Sequence, residues 1–229
     1  MTVTGLEGVE VVRHPRARRA RLSVDPASGR VRLTIPRRAA LRDYARWVDD
    51  HRGWIEAQRA RLPSPRPFAP GAAVPVGNDM LEIDWSADRP RTVRRTGAQL
   101  VCGGPAEGLA RRVEAWLKRE AKRVLADETA FYTAKAGVMV DSVSIGDPRA
   151  RWGSCSSSGR IRYSWRLILA PVHVRRATVA HEVAHRIHLN HGPEFHALVD
   201  TLFEGDPAEA RSWFRTHGAS LHWYGRAAQ

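Results

Sequence analysis

Residues 178–195 read TVAHEVAHRIHLNHGPEF and carry four of the chain's ten histidines: His181, His185, His188 and His191. This spacing constrains the fold more tightly than any other feature. His181 and His185 lie four residues apart, one turn of an α-helix, so on a helix both imidazoles project from one face. Two imidazoles on a rigid rod can grip one metal ion. Glu182, next to the first of them, projects beside the pair, within reach of a metal-bound water. Zinc suits such a site: it takes nitrogen ligands, keeps an open position in enzymes and lowers the pKa of its bound water to about 7. The segment has the apolar content a helix needs. Ala177, Ala180, Ala184 and Ile187 fall at spacings of three and four, a face suited to burial under a sheet.

HExxH alone arises often by accident, so a third ligand matters. Asn190-His191-Gly192-Pro193 follows the helix. Asparagine and glycine tolerate the left-handed turn that ends a helix, and proline opens another. That places His191 on a bend, from which it approaches the ion in a new direction. His188 is the competitor, on the same face as His181 and His185. Three ligands along one straight helix converge poorly on a tetrahedral ion, which favours His191.

Upstream stands Arg151-Trp152-Gly153-Ser154-Cys155 and then a long apolar run read as a strand. With RWGSCSSSGRIRYSWRLILAP and VAHEVAHRIHLNHGPEFHALV together, the chain resembles the YgjP-like metallopeptidases, cousins of the SprT-like zinc proteases. The pairing of RWGSC with HExxH and NHGxxF is far more specific than HExxH alone. These motifs span about residues 150–199, with weaker similarity before them, including HRGWI. One departure is Gly192, where the YgjP-like group carries serine; HGPEF is nearer the SprT-like form. The resemblance implies zinc on His181, His185 and His191, with Glu182 as general base and acid. The implied fold is α+β: a minimal zincin with a small twisted sheet, a long backing helix over 106–135 and an active-site helix.

Other residues in these motifs have plainer readings. Cys155 reads as a small residue at a strand end, with zinc ligation as its alternative, and Trp152 and Trp165 read as packing residues. Arg151 or Arg166 can steady an oxyanion, but a salt bridge at the sheet edge is the simpler role. His196, one turn past His191, reads as packing or as support for the ligands.

The rest of the chain fits two regions: 1–104, β-rich and basic with one helix over 39–61, and 105–229, the zincin-like domain. VEVVRH, ARLSVD and RVRLTIP alternate as half-buried strands do. Leu41, Ala45, Val48, Trp54 and Ile55 give the helix its apolar spacing, and Pro63, Pro65, Pro67 and Pro70 make a stiff connector. In 106–135, Leu109, Val113, Trp116, Leu117, Val124 and Phe131 share a face, and Gly137 ends the helix. Asp206-Pro207-Ala208-Glu209 opens a last helix with a cap residue and a proline.

The N-terminus, MTVTGLEGVEVV, lacks a basic start followed by an apolar block, so no signal peptide is expected. No apolar run reaches membrane-spanning length, and two distant cysteines, Cys102 and Cys155, read as reduced thiols of a cytoplasmic protein. The net charge of +13 splits into +8 over residues 1–104 and +5 over the remainder, so the excess is shared.

The expected function is zinc-dependent hydrolysis of a peptide or protein, with a zinc-bound water activated by Glu182. An extended peptide is expected to pair with the strand near Ile161–Ile168. One alternative is a metal-dependent nucleoside triphosphate pyrophosphohydrolase, its arginines holding the triphosphate. Gly71-Ala72-Ala73-Val74-Pro75, however, lacks the lysine and helix start of a phosphate loop. The other is a DNA-associated SprT-like protease or binding module, for which the shared charge gives weak support.

Overall fold

The computed structural model describes residues 6–227; residues 1–5, on which the reading of a missing leader rests in part, lie outside them. The chain divides into two compact units, Met1–Ser64 and Pro65–Gln229. The mixture of helices and three small sheets is the α+β class expected.

In the first unit, β1 (Val9–His14), β2 (Arg21–Val24) and β3 (Val31–Pro36) form one sheet in the order β1-β3-β2. β1 runs parallel to β3, and β2 antiparallel to it. The alternation of VRLTIP buries Val31, Leu33 and Ile35 on one face of the central strand. The β2–β3 turn forms as its composition predicts: Gly29 takes a φ of 71°, and the Asp25 carboxylate accepts the Ala27 N–H at 2.9 Å.

The helix expected over 39–61 is two helices, α1 (Arg42–Asp50) and α2 (Arg52–Ala60), broken at His51. The imidazole causes a local competition. His51 Nδ1 donates to the Trp47 carbonyl at 2.7 Å, the acceptor that the His51 N–H would use in a continuous helix. That N–H turns to Val48 O instead, at 3.0 Å. Val48 and Ile55 still reach the core, while Trp54 is less than half exposed and lies outside it.

The second unit begins with β4 (Ala73–Val76), β5 (Asp79–Ser86), β6 (Arg94–Thr96) and β7 (Gln99–Gly103), in the order β4-β5-β7-β6. Residues 71–75 therefore enter a strand and not a phosphate-binding helix. Next comes α3 (Leu109–Ala136), ended by Gly137 at φ 65° as expected. Its buried stripe is Leu109, Val113, Leu117, Ala121, Leu125, Thr129 and Tyr132, steps of four closed by one of three; Phe131 lies off it and is about half exposed. This stripe shares one core with Leu81, Ile83 and Leu100 of the preceding sheet. The division expected near residue 104 thus falls inside a single core, and the boundary between units lies at the proline-rich connector.

β8 (Ser142–Gly146), β9 (Gly153–Cys155) and β10 (Arg160–Ser164) make the third sheet, in the order β8-β10-β9. The long apolar strand expected here stops at Ser164. Trp165–Leu169 coil into a fully buried 3-10 turn whose first N–H groups begin at the Ser164 hydroxyl, which accepts Arg166 N–H at 3.3 Å. β10 is therefore central, with β8 and β9 as the two edge strands.

The chain closes with α4 (Val172–Ala184), α5 (Pro193–Leu202) and α6 (Pro207–Leu221). α4 is held against α3 by an ion pair, Arg175 Nη2 to Glu128 Oε1 at 2.8 Å, with side chains only 7 % and 14 % exposed. Removing one partner of such a pair strands a buried charge. α6 opens as its sequence predicts, the Asp206 side chain accepting the Ala208 N–H at 2.7 Å. Among the described residues no helix is long and apolar enough to cross a membrane.

Candidate metal centre

α4 is short and buried almost all round, because it passes between α3, the third sheet and α6. Its regular turns stop at Ala184, so Ile187 lies beyond the buried face its spacing predicts and is about half exposed. His181 sits in the last turn, and His185 caps it with helical φ and ψ. The chain then leaves without a left-handed residue: among the described residues no non-glycine has a positive φ, and Gly192 is extended at φ −79° and ψ 179°. The bend comes instead from Pro193 starting α5, with Gly192 as its cap. His191 stands on this connection.

The three imidazoles meet. Ligand atoms of His181, His185 and His191 all lie within 4.8 Å of one another, the only such group of three among the described residues. His181 Nε2 and His191 Nε2 are 3.2 Å apart. Two nitrogens bound at 2.0–2.1 Å to a tetrahedral ion stand roughly 3.3 Å apart, so this spacing suits a zinc-sized ion. The protonation states suit it as well. Burial drives His181 down to about 4, helped by His185 and His191, and burial also lowers His185. Both are therefore neutral near pH 7, as ligands must be. His185 is oriented further, because its Nδ1 lies 3.0 Å from the His188 carbonyl, which can only accept. The proton thus sits on Nδ1, and Nε2 keeps its lone pair for a metal.

His188 contributes that carbonyl and points its ring elsewhere, 3.8 Å from the exposed Glu194 carboxylate. Cys155 also stays outside the cluster; its Sγ–H faces the Ser156 carbonyl at 3.5 Å, and burial pushes the thiol up. His196 is exposed, its ring 6.5 Å from that of His191. Arg166 forms the simpler salt bridge, bidentate to Asp147 at 2.7 and 3.1 Å, and donates to the Leu221 carbonyl. Trp152 packs as expected, stacked on Phe214 at 4.8 Å.

Glu182 is only 5 % exposed. Burial raises its carboxyl to about 7, and the nearby Arg151 charge opposes that rise. It forms no hydrogen bond to another described side chain or backbone group, so the carboxylate is free to exchange a proton.

Two residues that the sequence did not single out complete the centre. Phe195, fully buried, lies under all three imidazoles with ring centroids 4.9, 4.6 and 4.7 Å from those of His181, His185 and His191. Gly153, at the start of β9, passes directly against Glu182: a Cβ there would fall 2.6 Å from Glu182 Cγ. RWGSC and HExxH are thereby linked in space, since only glycine at 153 leaves room for the acid.

The model of the YgjP-like metallopeptidase domain matches residues 18–217. The chain belongs to that family. The matched stretch runs from the loop before β2 into α6 and contains His181, Glu182, His185 and His191. A YgjP-like metallopeptidase domain implies a metal ion and a peptide substrate. No curated protein and no solved structure matches the chain.

Proposed function

We propose that this chain is a zinc-dependent peptidase in which His181, His185 and His191 hold the ion and Glu182 carries the proton. The observation behind the reading is the convergence of three imidazoles beside a buried, unpaired carboxylate. The cytoplasm remains the expected compartment, on the two distant thiols.

When bound, zinc supplies Lewis acidity, polarising a carbonyl and making water nucleophilic near neutral pH. The chain's own groups do the rest. Glu182 accepts one proton from the attacking water on a carboxylate oxygen and returns it to the departing amine nitrogen. Its burial keeps proton affinity high enough for both transfers. His185 stays in one tautomer through the His188 carbonyl. Phe195 holds the three rings apart from bulk water on one side. Because β9 pairs with β10 alone among the described residues, its outer edge can receive an extended peptide as an added strand running past Glu182. This edge replaces the one expected at Ile161–Ile168.

The test is metal content and hydrolysis of a denatured protein substrate, measured on wild type, Glu182→Gln and His191→Ala. The reading expects one zinc per chain and cleavage in wild type, zinc without cleavage in Glu182→Gln, and weakened zinc binding in His191→Ala. Full cleavage by Glu182→Gln contradicts it.

A further inference from the structure

A cavity of about 260 Å³ opens beside the imidazole cluster, between the start of β9, α4 and α6. His181 and Glu182 form its wall toward the cluster, so whatever occupies it adjoins the reacting bond. Ala177, Val199, Ala210 and Phe214 supply apolar surface. Arg151 and Arg211 also line it, and both are exposed.

Carboxylates and carbonyls hold several other arginines of this unit. Arg166, Arg175 and Arg186 are tied to Asp147, to Glu128 and to the Met139 and Ser157 carbonyls. The side chains of Arg151 and Arg211, like those of Arg149 and Arg215, make no hydrogen bond or ion pair with any described residue, but of these four only Arg151 and Arg211 line the cavity. Two guanidinium groups at an apolar-walled cleft raise the positive potential there. A cationic substrate group meets repulsion there. A carboxylate meets two forked donors. The volume falls below the roughly 300–1,000 Å³ of sites that enclose whole small-molecule ligands, and so suits one side chain with its charged end.

We propose that this cavity is a specificity subsite that takes a substrate residue bearing a carboxylate, recognised by Arg211 and Arg151. The inference rests on the peptidase reading. The carboxylate has two possible sources, an aspartate or glutamate side chain or the free C-terminus of the peptide, and the experiment separates them.

Full-length zinc-loaded protein is given short peptides that differ only at one position (Glu, Gln, Leu or Lys), and a neutral peptide ending in a free acid or an amide. Cleavage is followed by mass spectrometry. Binding of the same peptides is measured by calorimetry on zinc-loaded Glu182→Gln protein. The carboxylate-bearing member of a pair should win by roughly tenfold or more in kcat/KM and in affinity, as hydrogen bonds to a charged group imply. Preference for Glu over Gln marks the side chain; preference for acid over amide marks the terminus. Arg211→Ala should erase the preference, and Arg211→Glu should shift it toward the Lys peptide, with unchanged thermal unfolding as the folding control.

Equal treatment of all peptides in both assays overturns the subsite even where cleavage occurs. Carboxylate-dependent binding without any cleavage supports the subsite and removes the peptidase reading. Neither binding nor cleavage overturns both.

Discussion

Gly153→Ala tests the contact between β9 and Glu182 with a single methyl group. The added Cβ would stand 2.6 Å from Glu182 Cγ and 2.7 Å from its Cδ, inside van der Waals contact. The clash can resolve in two ways. If β9 and α4 hold their places, the site is overpacked, at about 1–3 kcal/mol of stability. The cavity bounded by Glu182 and Arg151 offers an easier route: the carboxylate swings into it, and the stability cost drops below that range. Either outcome moves the acid by about 1 Å, the shift that takes a 2.6 Å approach out to ordinary contact at about 3.5–4.0 Å. Displacements of about 1 Å at a reacting group cost roughly a hundredfold in rate. The three atoms nearest the new methyl all belong to Glu182 and none to an imidazole, so zinc should remain bound. The assay is kcat/KM on a peptide substrate beside zinc content and thermal unfolding. The expected pattern is retained zinc, small loss of stability and about a hundredfold loss of turnover. Activity within about twofold of wild type, with zinc bound, would refute the claim that glycine at 153 makes room for the acid.

In metal-free protein, Glu182→Gln should be more stable than wild type at pH 8, because the folded carboxyl, raised from 4.5 to about 7, resists ionisation. The difference approaches about 3–4 kcal/mol well above pH 7 (about 2.5 pKa steps at 1.4 kcal/mol each) and fades as pH falls through 4.5, below which wild type is neutral in both states; unfolding curves across pH read it directly. Phe195→Ala should lose about 3–5 kcal/mol of stability and about ten- to a hundredfold in zinc affinity, since the ring packs under all three imidazoles; unchanged affinity by competitive chelation would remove its role as a platform.

Local chemistry is what the sequence expressed most clearly. The cap at Asp206, the glycine ending α3, the proline opening α5 and the four-residue histidine spacing each depend on neighbours along the chain, and the structure contains all of them. Competition between neighbours was harder to read. No glycine or proline marks the break at His51, which follows from one ring taking one carbonyl. The apolar run Trp165–Leu169 has no period that separates a strand from a buried 3-10 turn, so the sheet edge was sought one strand away from β9. The faces of Phe131 and Ile187 depended on where burial ran and where α4 stopped. Contacts between distant segments left no periodic trace. Gly153 against Glu182 spans 29 positions, and Phe195 under the imidazoles joins α5 to α4. The residues of both contacts lay within the quoted motifs, but only the fold shows what they touch.

X-ray absorption spectroscopy of the zinc-loaded protein bears most directly on the metal centre. The account predicts a first shell of three imidazole nitrogens and one oxygen at about 2.0–2.1 Å, with one imidazole missing from the signal in His191→Ala. A sulfur scatterer at about 2.3 Å, which would bring Cys155 into the shell, or an unchanged spectrum in His191→Ala, would contradict it.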